Sequence, residues 1–365
     1  MVLHRYQYSK FWTIDPALLA QLRLSMSNVA NYDPNDVGKV NGNLFGLPFD
    51  YDSAQIIIFG VPWEVTVSYR PGTASAPQQI LAASPQLDLY DFDRPHGWKR
   101  GIYMPPIDVD LVAKNNYYRQ QAALIIDRLE QGQSLSSEPD LTGVLADINQ
   151  AGADLNRWLC DRTQTAMNAG KKVGVIGGDH SVPLGYMQAL AQRYPDFGIL
   201  HIDAHSDLRD AYEGFEFSHA SIMFNALKIP QISKLVQVGI RDISEVEINE
   251  IEKSQGRAVA YYDSLIKQQL YAGSNWLSIC QEAIAHLPQQ VYISFDVDGL
   301  DPKLCPETGT PVPGGLELEQ AFCLCREVIK SGRDIIGFDV CEVGNAEWDG
   351  NVGARIVYKL ANLMN

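Results

Sequence analysis

Two stretches of this 365-residue chain place histidine and aspartate directly after apolar segments, at spacings that suit a metal site. Residues 173–181 end in Gly-Gly-Asp-His-Ser, where two glycines permit a tight turn before His180. This stretch alone fits a structural turn as well as a metal ligand. Asp203 and His205 are two apart, so in an extended chain they point to the same side, and Asp207 returns to it. Carboxylate and imidazole groups together suit Mn²⁺, Ni²⁺, Fe²⁺ or Zn²⁺. The alternative interpretation of this segment is a solvated acidic turn that binds no cation.

A third stretch, residues 291–302, adds two more carboxylates. Asp296 and Asp298 follow an apolar run and share one face of an extended chain. Two such carboxylates do not both ionise when placed together unless a positive partner is present. The four aspartates can neutralise two divalent ions, and His180 and His205 can supply one nitrogen to each. The pattern predicts a dinuclear site with bridging aspartates and about 3.5 Å between the ions.

These residues need elements that bring them to one place. From residue 55 onward, short runs rich in valine and isoleucine alternate with helical stretches. The alternation predicts a three-layer α/β/α fold with one parallel, doubly wound central sheet, whose functional groups gather beyond the carboxyl ends of the strands. The predicted strands are 55–61, 172–176, 197–203, 235–239, 258–262, 291–297 and 335–340. The predicted helices are 113–133, 141–169 (with Gly170 as C-cap), 184–194, 245–255, 274–287, 316–331 and 351–363.

Composition excludes several classes of protein. The chain has 29 basic and 44 acidic residues, a net charge of −15 that argues against nucleic-acid binding and favours cations. No apolar run reaches the length of about 18 residues that a membrane span needs, and the first residues lack a secretory signal. The six scattered cysteines indicate a reducing, cytoplasmic setting. We expect a polar, turn-rich N-terminal extension over residues 1–53 and one α/β domain over residues 54–365.

The three stretches occur in order as GGDHS, DAHxD and SxDxDxxDP, and together they resemble the ureohydrolase family of arginases, agmatinases and related guanidino-group hydrolases. Further similarity lies in residues 60–73, in Thr-Gly-Thr-Pro-Val-Pro-Gly-Gly at 308–315 and in Cys-Glu-Val at 341–343. The resemblance covers residues 55–363 and implies an arginase-like fold. It also implies homo-oligomers, trimers or hexamers, with a small-molecule guanidino substrate.

The resemblance implies a role for each predicted metal ligand. Mn²⁺ is the usual metal of the family, and the ligand types do not exclude Ni²⁺. One ion would be held by His180 and Asp207, the other by His205 and Asp298, and Asp203 and Asp296 would bridge them.

The resemblance also implies the reaction, which is hydrolysis at a guanidinium carbon to give urea and an amine. Glu342 would hold the guanidinium by charge-assisted hydrogen bonds, rather than being a surface glutamate. His219 would carry a proton to the leaving amine. Thr310 would line the substrate loop.

The substrate is less constrained than the reaction. Ser244 and Arg209 replace an aspartate and an asparagine with which arginases recognise arginine, and residues 215–219 look more like agmatinases. Agmatine, giving putrescine and urea, is therefore the preferred substrate. Arg209 could instead bind a substrate carboxylate, or it could pair with Asp210 or Glu213.

Several alternatives stay open. The other substrates are guanidine, guanidinobutyrate, guanidinoacetate, arginine and formimidoylglutamate. A two-metal phosphoesterase would need basic clamps near the metals, where Arg209 is the close candidate. A non-catalytic, regulatory relative would be expected to lack metal ligands or Glu342, and this chain has them all.

Overall fold

The computed structural model describes residues 32–135 and 139–364. Within these ranges, eight strands form one sheet in which every pairing is parallel. The strand order across the sheet is β2-β1-β3-β8-β7-β4-β5-β6. The strands are β1 Ile56–Gly60, β2 Ile102–Tyr103, β3 Lys172–Ile176, β4 Phe197–Ile202, β5 Ile232–Ile240, β6 Ala258–Tyr262, β7 Gln290–Asp296 and β8 Asp334–Cys341.

Helices cover the sheet on both faces. Helices α1, α8, α9 and α10 pack as one set, and helices α2 to α5 as another. The predicted three-layer α/β/α architecture is therefore confirmed. In the described part of the chain the helices are α1 Ala76–Ala83, α2 Val109–Glu130, α3 Pro139–Asn168, α4 Leu184–Arg193, α5 Ile222–Leu227, α6 Glu245–Lys253, α7 Asp263–Tyr271, α8 Trp276–Ala285, α9 Leu318–Lys330 and α10 Glu347–Leu363.

All seven predicted strands and all seven predicted helices occur, with ends displaced by a few residues. Gly170 closes helix α3 as predicted, with φ +76° and a hydrogen bond from its N–H to Met167 O. The sequence pattern did not indicate β2, α1, α5 or α7. These elements are short, from two to nine residues, so their patterns are too brief to show a period.

The strand order explains why three distant sequence stretches can form one site. The neighbours β3, β8, β7 and β4 occupy the middle of the sheet. All six residues of β4 are buried, as expected for a parallel strand covered on both faces. The chain leaves these four strands at the same edge, and the residues that follow them therefore converge.

The start of the described chain packs on this body. Phe45 meets Tyr358 edge to face with 5.0 Å between ring centroids. The Asn43 amide donates to Ile102 O at 3.0 Å and accepts from the Met104 N–H at 3.0 Å. Residues 1–31 of the predicted extension lie outside the described residues. No helix in the described ranges is both long enough and apolar enough to cross a bilayer.

Candidate metal centre and adjoining cavity

His180 stands where β3 ends, and three carboxylates face one nitrogen of its ring. Its Nδ1 lies 3.0 Å from Asp203 Oδ2, 3.1 Å from Asp296 Oδ2 and 3.4 Å from Asp207 Oδ2. The turn that delivers His180 requires glycine at Gly178, because a Cβ there would lie 2.1 Å from a backbone oxygen. The sequence therefore brings one imidazole and three carboxylates to a single point.

A second group of ligand atoms forms around His205. Its Nδ1 lies 3.1 Å from Asp298 Oδ2 and 3.5 Å from Asp203 Oδ1. Asp203 thus contributes one oxygen to each group. Donors with this chemistry fit two divalent cations, and the shared carboxylate is where a bridging ligand is expected.

Backbone N–H groups hold three of these carboxylates in place by hydrogen bonds that need no ion. The Asp298 N–H donates to Asp296 Oδ1 at 2.8 Å, and the Ala204 N–H donates to Asp298 Oδ1 at 3.0 Å. The His205 N–H donates to Asp203 Oδ1 at 2.6 Å. Asp207 adopts a φ of +55°, an uncommon conformation for a residue other than glycine. Such backbone conformations are found at functional sites.

The charges of this cluster need cations. Burial, and then the neighbouring Asp298 and Asp203, raise the pKa of Asp296 well above its ordinary value. Burial also raises the pKa of Asp207 to about 6. Burial alone would lower the pKa of His180, yet the adjacent carboxylates, Asp203 first, hold it well above its ordinary value. Without a metal the cluster must therefore take up protons, whereas divalent ions could replace those protons directly.

Two further side chains support the centre. His201 Nε2 lies 2.8 Å from Asp203 Oδ2, and its Nδ1 accepts from Gln237 Nε2 at 2.9 Å. This contact fixes His201 as a donor to the shared carboxylate. The Arg241 guanidinium donates to the carbonyls of Asp298 and Leu300 and to three others. It therefore ties the ends of β5 and β7 together.

Glu342 lies directly after β8 and beside the cluster. Its Oε1 accepts from the His180 N–H at 2.9 Å, and its own N–H donates to Gly178 O at 2.8 Å. Its φ is +62°, and burial raises its pKa well above the ordinary value. Oε2 is buried without a hydrogen-bond partner among the described residues. A Cβ on Gly309 would lie 2.8 Å from this oxygen, so the close approach of the 309 backbone requires glycine.

A cavity of about 190 Å³ adjoins the second ligand group. His205, Asp207, His219, Thr310 and Arg209 line it, together with Tyr212, Ser244 and Glu247 among others. Thr310 Oγ1 donates to Asp298 Oδ2 at 3.3 Å. Burial lowers the pKa of His219 to about 3, so its ring is neutral around pH 7. The sequence-predicted residues of the substrate side, apart from the more deeply buried Glu342, thus surround one small space.

Arg209 makes neither of the ion pairs that the sequence suggested. Its Nε lies 3.8 Å from Glu247 Oε2, and its guanidinium stacks on the Tyr212 ring at 4.9 Å. Glu247 was not predicted as a residue of the site, although Ser244-x-x-Glu247 is a capping-box pattern visible in the sequence. The structure shows that box at the start of α6, with Glu247 buried. Asp210 lies instead beside Lys228, at 3.6 Å.

Comparisons with known proteins show the family and the fold of this chain. The model of the arginase family matches residues 54–362. N(1)-aminopropylagmatine ureohydrolase of Thermus thermophilus is 28% identical over 86% of this chain and 91% of its own length. Agmatinase of Bacillus subtilis is 26% identical, with 85% and 92% covered. The crystal structure of agmatine ureohydrolase of Thermoplasma volcanium has a TM-score of 0.63 and 22% identity, covering 86% of this chain and 91% of that one.

Proposed function

We propose that this chain, which belongs to the arginase family, hydrolyses agmatine to putrescine and urea. The coarser activity follows from the family, because the chain is a ureohydrolase that acts on C–N bonds in linear amidines. The names of the two relatives support a substrate of the agmatine type. The observation that carries the proposal is the buried Oε2 of Glu342, which has no hydrogen-bond partner among the described residues and lies next to two groups of side chains that could bind metals.

Two divalent ions would be held as the sequence predicts. His180 and Asp207 would bind one ion and His205 and Asp298 the other. When bound, two such ions lower the pKa of a water molecule between them and so supply a nucleophile at neutral pH. Mn²⁺ is our proposed metal, and Ni²⁺ is the alternative. Asp203 and Asp296 would bridge the pair.

Glu342 would bind and orient the guanidinium. Oε1 is engaged by the His180 N–H, which leaves Oε2 for the N–H groups of the substrate. Thr308 Oγ1 donates to Glu342 O at 2.7 Å and thereby holds the backbone of this residue. A buried carboxylate gains most from a cationic partner, since water does not compete for it. The carbon of the guanidinium would then face the metal side of the cavity.

His219 would move the proton that the reaction requires. Attack by water forms a bond to the guanidinium carbon, and the C–N bond to the amine then breaks. The attacking water loses two protons as its oxygen becomes the carbonyl oxygen of urea, and the leaving nitrogen gains two to depart as an ammonium ion. A neutral imidazole can take up a proton from the water and deliver it to the leaving nitrogen. His219 lines the cavity, and its lowered pKa leaves the ring neutral around pH 7.

Arg209 supports a second candidate substrate class, the guanidino acids. Its guanidinium lies at the cavity wall, stacked on Tyr212, and its Nε is 3.8 Å from Glu247. An arginine held in this way can bind a carboxylate through two N–H groups. For agmatine, by contrast, the pairing with Glu247 would need to offset the positive charge of Arg209. The two candidates thus differ in the sign of the charge at the far end of the substrate.

The test is urea release from purified protein loaded with Mn²⁺ or with Ni²⁺. The panel is agmatine, N(1)-aminopropylagmatine, arginine, guanidinobutyrate, guanidinoacetate and guanidine, with formimidoylglutamate followed by formamide release. We expect turnover of agmatine above the others. Asp203→Asn protein, purified identically, controls for contaminating activity. Absence of product from every compound would contradict the proposal and favour a non-catalytic relative.

Three further predictions rest on the sequence and on the family resemblance. They are a trimer or hexamer, a cytoplasmic location and a domain boundary between residues 53 and 54. Light scattering of the purified protein measures the oligomeric state. A phosphoesterase would require phosphate ester hydrolysis under the same conditions, and we expect none.

A further inference from the structure

We propose that Thr66 is a positioning residue that fixes the ring orientation and tautomer of His219. The effect of this positioning on catalysis depends on the proposed function, whereas the tautomer itself does not. Thr66 follows β1, far from His219 in the sequence, and its side chain is buried with 3% exposed. Its hydroxyl contacts both His219 and a carboxylate beside the metal centre.

One oxygen atom makes all of these contacts. Thr66 Oγ1 donates to Asp179 Oδ2 at 3.2 Å. The same oxygen accepts from the His219 backbone N–H at 3.2 Å and lies 3.4 Å from His219 Nδ1. A hydroxyl has one hydrogen and two lone pairs. Because the hydrogen points to Asp179, the lone pairs face His219.

This arrangement selects one tautomer of the imidazole. If Nδ1 carries the hydrogen, it faces a lone pair of Thr66 and is satisfied. If Nδ1 is unprotonated, two lone pairs oppose each other. Ser218 Oγ, also 3.4 Å from Nδ1, can accept from this N–H or donate to an unprotonated Nδ1, so it suits either tautomer; the Thr66 hydroxyl, whose hydrogen is directed at Asp179, can only accept here and therefore favours Nδ1–H. Nε2 is then the unprotonated nitrogen, free to accept a proton within the cavity.

Thr66 is itself held from two directions. On one side, Glu64 Oε2 accepts from the N–H groups of Gly72 at 2.6 Å and Ala74 at 2.9 Å, which closes the loop that carries Thr66. On the other side, Asp179 Oδ1 accepts from the Ser181 N–H at 3.0 Å. The acceptor and the loop are therefore held by hydrogen bonds that do not involve His219. A preorganised hydroxyl can orient the ring at little entropic cost.

The closing experiment observes the tautomer directly. Protein labelled with [¹⁵N]histidine is loaded with diamagnetic Zn²⁺, and long-range ¹H–¹⁵N spectra assign the ring of His219 by comparison with His219→Asn. We expect the Nδ1–H tautomer in the native protein and in Thr66→Ser, which keeps the hydroxyl. Thr66→Val should shift the ring toward Nε2–H. Thr163→Val is the matched control, because Thr163 is buried and its hydroxyl has no partner among the described residues.

Kinetics of the Mn²⁺ enzyme give the catalytic consequence. Thr66→Val should lower kcat by about 10–100-fold, less than the roughly 10²–10⁴-fold that losing a whole general acid–base contribution would cost, with KM and metal content little changed. The same substitution in a His219→Ala background should have no further effect. An unchanged tautomer in Thr66→Val, or additive losses in the double variant, would overturn the proposal. The spectra decide it even if no guanidino compound is turned over, which would reject the proposed function separately.

Discussion

The backbone N–H of His180 donates to Oε1 of Glu342 at 2.9 Å, across 162 residues of sequence. One residue of this pair is a predicted metal ligand, and the other is the predicted carboxylate for the guanidinium. The hydrogen bond joins the ends of neighbouring strands β3 and β8. It fixes the distance between the place where the nucleophile would form and the place where the substrate would bind, and it leaves Oε2 of Glu342 for the substrate.

Glu342→Gln tests whether Oε1 serves the hydrogen bond from His180 while Oε2 serves the substrate. The amide oxygen can still accept from His180, so the fold should persist, but the negative charge facing the guanidinium is gone. A hydrogen bond to a charged group contributes about 1.5–3 kcal/mol, so kcat/KM should fall by about 10–200-fold. Steady-state urea release with the best substrate measures it. Glu347→Gln, at an exposed glutamate in the first turn of α10, should behave as the native enzyme; equal losses in both variants would contradict the role of Glu342.

Asp203→Asn tests the shared carboxylate. Asp203 reaches both His180 and His205, so its loss should weaken both ions at once. We expect fewer than two ions per chain after dialysis, by elemental analysis, and a fall in kcat/KM of at least about 10³-fold, since each ion contributes several kcal/mol. Asp196→Asn, exposed just before the other end of β4, is the control. Two retained ions with full activity would rule out the bridging role.

Much of the site was predictable because its chemistry is local in the sequence. Asp203, His205 and Asp207 share one strand end, and period two alone places the first two on one side. The two glycines before His180 likewise indicate a turn from the local sequence alone. The strands were also predictable, because a strand that is covered on both faces of the sheet appears in the sequence as an unbroken apolar run.

The remaining features depend on contacts between distant parts of the chain. The adjacency of β3, β8, β7 and β4 is a matter of strand order, which no local pattern encodes. Arg241 binds carbonyls beyond β7, and Thr66 reaches His219 across 153 residues. A threonine in a loop carries no sequence signal for such a partner. Pairing of Arg209 with Glu247 was not predicted, because Glu247 is distant from Arg209 in the sequence and only the position of α6 in the fold brings the two together.

Arg209→Gln distinguishes the two candidate substrate classes. If the substrate is agmatine, removing a positive charge from the cavity wall should lower KM, or leave it unchanged. If the substrate is a guanidino acid, the loss of a bidentate partner should raise KM by about 10–200-fold, from about 1.5–3 kcal/mol. KM for agmatine and for guanidinobutyrate is measured in parallel. Arg257→Gln, whose guanidinium donates to Ile229 and Ile232 carbonyls away from the cavity, serves as control.

His219 should also influence how stability depends on pH. Burial, followed by the nearby His205 and His180, lowers its pKa to about 3, whereas the unfolded chain has the ordinary value of 6.5. Between these values the unfolded state binds more protons, so the free energy of unfolding falls as the pH drops through this window and is highest above pH 6.5. One proton contributes a slope of at most about 1.4 kcal/mol per pH unit. His219→Asn should flatten the slope by up to that amount. Urea unfolding of metal-free protein from pH 4.5 to 7.5 measures it. His286→Asn, at an exposed histidine after α8, should keep the native slope, and identical slopes for native protein and His219→Asn would show that His219 protonates as readily in the folded chain as in the unfolded one.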